Sequence, residues 1–147
     1  MIIFKDMVEK CQQLLPKDEK FEGILVVEFD LNQSTEKDID NSFLWTCVLA
    51  TSMDNNFRHY KFTKQPEKEV TYEESEMPFG YTPFQSIELD LQAALDLVHK
   101  ENSETCKKGR LYFPLSPFDT EPLWVFAFDN RKNIFVGANS GKMELVN

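Results

Sequence analysis

The sequence predicts an α+β fold in which two repeated helix-plus-strand units pack their helices on one face of an antiparallel sheet. The chain's two tryptophans, Trp45 and Trp124, each follow a leucine at the start of an apolar, strand-like segment. Upstream of each segment, around Val8 and around Leu91, apolar residues recur at the spacing of an amphipathic helix. We expect both tryptophans in the core, with each indole N–H reaching a carbonyl or water.

The first half begins with a helix at about 4–15, because its apolar residues recur at helical spacing and Pro16 ends the pattern. Strands follow, since β-branched and aromatic side chains pack well on a half-buried sheet surface. Asp and Asn at 54–56 indicate a hairpin turn, because both tolerate left-handed backbone conformations. The predicted strands are 21–31, 43–53 and 57–63, with a short fourth at 69–72.

The second half begins near residue 87 with the same order of elements. Leu91, Ala94 and Val98 form an apolar stripe, and Asp90 places a carboxylate near the helix N-terminus, where the helix dipole favours it. The predicted strands of this half are 109–115, 123–128, 133–138 and 143–146.

The sequence predicts a single domain made of two half-repeats, at about 1–65 and 87–147. Residues 66–86 are predicted to form an acidic linker that joins them. Carboxylates at this density repel one another and hold the segment at the surface, and a Pro/Gly/aromatic run follows them at 77–84. This run either packs across the helix–sheet junction or forms a presented loop with the composition of a binding hot spot. The candidate partner-binding residues are Glu69, Glu73, Glu74, Glu76, Phe79 and Tyr81, with Asp38 and Asp40 as a second acidic edge.

The bulk composition narrows the function classes. A net charge of −9 argues against unaided nucleic-acid binding and favours fast association with a basic partner, although many proteins are simply acidic. The three cysteines form no C-x-x-C motif, and Cys11 and Cys47 lie on apolar faces, which predicts buried free thiols and a reducing cytoplasm. The apolar stretch 1–4 is too short for a membrane span or a signal peptide. A chain whose leader peptide had been removed would have the same kind of N-terminal sequence. The sequence does not predict an oligomeric state.

The sequence predicts no catalytic residue, metal site or cofactor. His59 and His99 lack a zinc-binding motif, and the chain has no phosphate-binding glycine loop. Cys47 has no base within sequence reach. Asp38 with Asp40, like Glu73 with Glu74, could pair for metal binding or glycoside hydrolysis, but adjacent carboxylates on loops are ordinarily solvated. We therefore expect a protein that is not an enzyme.

The segment 123–146 is an aromatic strand, a turn, a strand with a Gly-containing turn and a short last strand. It resembles the closing hairpin of PepSY-like modules and of some small bacterial immunity proteins, over about the last sixty residues of the chain. The resemblance implies a non-catalytic inhibitor or partner-binding role. We expect a cytoplasmic protein that neutralises a basic protein partner, such as a toxin nuclease. The alternatives are an accessory subunit of a larger assembly, or a small-ligand binder or enzyme with a pocket between the helices and the sheet.

Overall fold

The computed structural model describes residues 4–31, 44–65, 68–75, 82–83, 87–101, 106–113, 121–128 and 132–146. These ranges contain two helices and nine strands. In chain order they are α1 (Phe4–Leu14), β1 (Lys20–Asp30), β2 (Leu44–Met53), β3 (Asn56–Lys64), β4 (Thr71–Ser75), β5 (Thr82–Pro83), α2 (Leu91–Glu101), β6 (Cys106–Tyr112), β7 (Leu123–Phe128), β8 (Asn133–Gly137) and β9 (Met143–Val146).

The strands form one antiparallel sheet in the order β4-β3-β2-β1-β6-β7-β8-β9, and the short β5 pairs with β1. At its centre β1 pairs with β6, from Val26 opposite Tyr112 to Asp30 opposite Lys108. The predicted fold class of two helix-plus-strand repeats is therefore wrong, because the chain builds one large sheet that carries two short helices. The pairing of β1 with β6 gives partners to main-chain groups that separate units would leave at open edges.

The core lies between the two helices and one face of the sheet. Residues of α1 (Met7, Val8, Cys11) and of α2 (Leu91, Ala94, Leu95, Val98) join alternate residues of the strands in one buried cluster. We call this side of the sheet the helix face and the opposite side the outer face. A second, smaller buried cluster lies on the outer face and contains Leu25, Val48 and Ala50.

Both tryptophans are buried in the core, as predicted. Trp124 stacks on Phe126 with ring centroids 5.8 Å apart, and its indole N–H donates a hydrogen bond of 2.7 Å to the carbonyl of Leu89. Gly109 of β6 allows this close packing, since a Cβ there would lie 3.0 Å from the Phe126 ring. The hydrogen bond from Trp124 to Leu89 joins the main chain before α2 to β7.

The hairpin between β2 and β3 is confirmed. Asp54 and Asn55 adopt positive φ angles of 51° and 65°, and Met53 pairs with Asn56 across the turn. Asx residues adopt this left-handed conformation more readily than other side chains. Two other strands differ from their predicted bounds. Strand β4 begins at Thr71 instead of residue 69, and β6 begins at Cys106 instead of residue 109.

Candidate functional site

Three of the acidic residues predicted to bind a partner lie along one end of the sheet. Strand β4 is the terminal strand on this side, and Glu73 and Glu74 within it are exposed, as is Glu69 just before it. The other predicted residues, Glu76, Phe79, Tyr81, Asp38 and Asp40, lie outside the described residues. The structure therefore brings three of the eight candidates to one edge.

Strand alternation separates the two adjacent glutamates of β4. Glu73 lies opposite Lys61 on the outer face, whereas Glu74 lies opposite Tyr60 on the helix face. Tyr72, on the same face as Glu74, packs its ring against Phe62 with centroids 5.4 Å apart and keeps 43% of its surface exposed. The acidic residues thus line an edge rather than a patch on one face.

Polar groups near this edge form a partly buried network on the helix face. Glu19 accepts hydrogen bonds from the Tyr60 hydroxyl at 3.2 Å and forms an ion pair with Arg58 at 3.5 Å. The hydrogen bond with Tyr60 raises the pKa of Arg58, and the charges of Glu19 and Glu74 raise it further. The positive charge of Arg58 therefore offsets part of the negative charge of Glu74.

Three buried polar atoms near β3 have no hydrogen-bond partner within the described ranges: Oε2 of Glu19, Oγ1 of Thr51 and Nε2 of His59. His59 is 9% exposed, and burial lowers the pKa of its imidazole.

A hydrogen bond with Cys11 and burial raise the pKa of the Cys47 thiol well above its ordinary value. Both cysteines are buried and free, as predicted, and Cys47 is held in its protonated form.

A hollow of about 500 Å³ lies on the outer face over β6, β7 and β8. Its lining is largely apolar, with two cationic side chains from β6, Lys108 and Arg110. Glu28 of β1 bonds both of them, at 2.6 Å to Nε of Arg110 and at 3.5 Å to Nζ of Lys108. Arg110 also donates a hydrogen bond of 3.1 Å to the Tyr112 hydroxyl. This bond raises the pKa of Arg110, and Glu28 raises it further.

Sequence reasoning missed this hollow because its residues come from three strands. One sequence feature does indicate it: β7 reads Leu-Trp-Val-Phe-Ala-Phe, which is apolar at every position. A strand with one solvated face normally alternates apolar and polar residues. The outward residues of β7 therefore predict an apolar outer surface at this place.

A second recess, of about 300 Å³, lies where the end of α2 meets β8 and β9. Its charged lining residues are of both signs, with Glu101 and Glu144 beside Lys132.

In the part of the chain that the structure describes, no three His, Cys, Asp or Glu residues group closely enough to hold a metal ion. Neither described helix has the length and apolar character needed to cross a bilayer.

The chain matches no protein-family model and no curated protein. It is similar in structure to a protein of Clostridium difficile 630 described as a "putative lipoprotein". The alignment covers 99% of this chain and 93% of that chain, with a TM-score of 0.57 and 17% sequence identity. At this identity the likeness shows the fold alone, so the two proteins share an architecture.

Proposed function

We propose that this chain is a non-catalytic binding protein that engages a basic protein partner, such as a toxin nuclease, through the edge strand β4. The observation that carries the proposal is the terminal position of β4 in the sheet, with Glu73 and Glu74 both exposed along it. The net charge of −9 and the resemblance to small immunity proteins support the same proposal. A cytoplasmic location is part of it.

An edge strand suits this role because it offers main-chain groups as well as side chains. Among the described strands β4 pairs with β3 alone, so one side of its main chain is available to an extended segment of a partner. A partner added along this side would meet both Glu73 and Glu74, although they point to opposite faces. Tyr72 contributes exposed aromatic surface, which is common in binding hot spots.

The test compares two double variants that remove the same charge. E73Q/E74Q neutralises the β4 edge, and E9Q/E101Q neutralises exposed glutamates on α1 and α2. The partner is captured at low salt, identified and purified, and its association is then measured by surface plasmon resonance. We expect E73Q/E74Q to slow association about three- to tenfold at low salt, because complementary charges steer encounter. The difference should shrink at about 0.3 M salt, where screening is stronger.

Each outcome decides between specific explanations. Equal slowing by both double variants would mean that net charge, not the β4 edge, governs association. Unchanged association of E73Q/E74Q would remove the edge from the binding site. Tight association that does not depend on salt would favour the alternative role of an accessory subunit with an apolar interface.

A further inference from the structure

The outer face of β7 is apolar where a solvated strand would carry polar residues. Leu123, Val125 and Ala127 point away from the helices and are only half-buried, whereas Trp124, Phe126 and Phe128, which alternate with them, are buried in the core. In an antiparallel sheet with one face in water, the outward positions are normally polar. This surface is therefore suited to covering by an apolar group.

Neighbouring strands turn this surface into a hollow. In the sheet register Val125 lies between Arg110 of β6 and Phe135 of β8. Tyr112 and Asn133 add a hydroxyl and an amide to the lining. The volume of about 500 Å³ falls within the range of about 300–1,000 Å³ that is typical of small-molecule sites. Size and lining together suit a small ligand with an apolar body.

The charge of the hollow is opposite to that of the chain. The protein has 25 acidic and 16 basic residues, yet the charged groups among the described lining residues are the cations Lys108 and Arg110. Glu28 bonds both cations, and Asp30 lies opposite Lys108 in the register, but neither carboxylate is part of the lining. The charges that line the hollow itself are both positive.

Both cations keep the capacity to bind a further acceptor. Their side chains remain 45% and 42% exposed despite the ion pairs with Glu28. The bonds to Glu28 and Tyr112 engage Nε and one terminal nitrogen of Arg110, whose guanidinium has five N–H donors. A ligand carboxylate can therefore accept hydrogen bonds from Arg110 without displacing the bonds that hold it in place.

We propose that this hollow binds an amphipathic carboxylate, with its apolar body against Val125, Ala127 and Phe135 and its carboxylate on Arg110 and Lys108. Aliphatic and aromatic contacts supply the apolar part of the binding free energy, and charge-assisted hydrogen bonds fix the orientation of the head group. The hollow lies on other strands than β4, so this proposal does not rest on the proposed partner. It also lies on the face opposite the helices.

Titration of the full-length, ¹⁵N-labelled chain with sodium decanoate tests the proposal by NMR. We expect saturable shifts of backbone amides in β6, β7 and β8, centred on Val125 and Phe135, and unperturbed amides in α1. Decanol has the same chain length and no charge. It should bind more weakly by a factor of about ten or more, because it lacks the charged acceptor.

Three variants sharpen the test. K108Q/R110Q removes both cations from half-exposed positions and should weaken decanoate binding about tenfold or more. V125E places a carboxylate on the apolar floor and should abolish binding. K61Q is the control for loss of a positive charge on the same face, because Lys61 lies on the outer face in β3, away from the hollow. Urea midpoints of all variants establish that the fold is retained, and K108Q/R110Q alone decides if V125E does not fold.

Three results would overturn the proposal. Decanol binding as tightly as decanoate would show that the cations do not recognise the head group. Shifts centred on the helix face would place the ligand elsewhere. Equal weakening by K61Q and by K108Q/R110Q would reduce the effect to general electrostatics.

Discussion

The carboxylate of Glu121, just before β7, holds the turn between β8 and β9. One of its oxygens accepts hydrogen bonds from the backbone N–H groups of Asn139 at 2.9 Å and Ser140 at 2.8 Å. A third bond, from the Ala138 N–H to the Pro122 carbonyl at 2.9 Å, joins the same two segments. Replacing Glu121 by Gln keeps the size of the side chain and removes its charge, so the variant isolates the charge-assisted part of these bonds.

The expected loss of stability follows from the two bonds. A hydrogen bond to a charged group contributes about 1.5–3 kcal/mol, against about 0.5–1.5 kcal/mol for a neutral pair. The change from Glu to Gln therefore removes roughly 1 kcal/mol for each bond. Solvent screening lowers the total for this partly exposed side chain. We therefore expect the free energy of unfolding of E121Q to be about 1–2 kcal/mol lower than that of the wild type at pH 7. E144Q, at an exposed position of β9, should change it by less than about 0.5 kcal/mol.

The pH dependence provides the decisive measurement. The N–H groups of Ser140 and Asn139 lower the pKa of Glu121 in the folded chain, despite some opposing desolvation. A lowered folded-state pKa adds stability above the unfolded-state pKa of about 4.3, and this contribution is lost as the pH falls through the folded-state value. Urea unfolding followed by tryptophan fluorescence should show the difference between wild type and E121Q shrinking from pH 7 to pH 3. An undiminished difference at pH 3, or none at pH 7, would refute the reasoning.

Three further predictions follow from the buried groups and the hollow. E28Q should tighten decanoate binding measured by NMR, because the negative charge of Glu28 offsets part of the charge of both cations; weaker binding would mean that the position of the cations depends on Glu28. W124F should lower the urea-derived unfolding free energy by about 1–3 kcal/mol, since it leaves the partly buried Leu89 carbonyl without its indole donor; an unchanged value would contradict this. The Cys47 thiol, whose pKa is raised by Cys11 and by burial, should react with a thiol reagent only at the rate of unfolding, and rapid reaction of the native chain would oppose this.

The sequence predicts local structure well where one turn or one periodic face determines it. Asp54 and Asn55 indicate the β2–β3 hairpin because few other residues adopt positive φ. The buried positions of Trp45 and Trp124 follow from the apolar strands around them. The pairing of β1 with β6 does not follow from any local pattern, since it joins segments more than seventy residues apart. That pairing makes one sheet out of the two predicted units.

The outer-face hollow shows the same limit for a site. Arg110, Val125 and Phe135 become neighbours only through the register of three strands, so no spacing along the chain relates them. The all-apolar composition of β7 does indicate that its outer face is apolar as well as its inner face. Composition of a single strand can therefore locate a surface, whereas the cations that give it a ligand preference become apparent only when the neighbouring strand is placed.

Adjacent acidic residues have a different meaning in a strand than in a loop. The sequence suggested that Glu73 and Glu74 form one acidic surface, which holds if the segment is a loop. In β4 the period of two residues directs Glu73 beside Lys61 and Glu74 beside Tyr60, on opposite faces. A partner resting on either face would meet one glutamate, and that glutamate has a cation nearby, Lys61 or Arg58. A partner that approaches along the strand meets both, so the edge is the direction from which these charges act together.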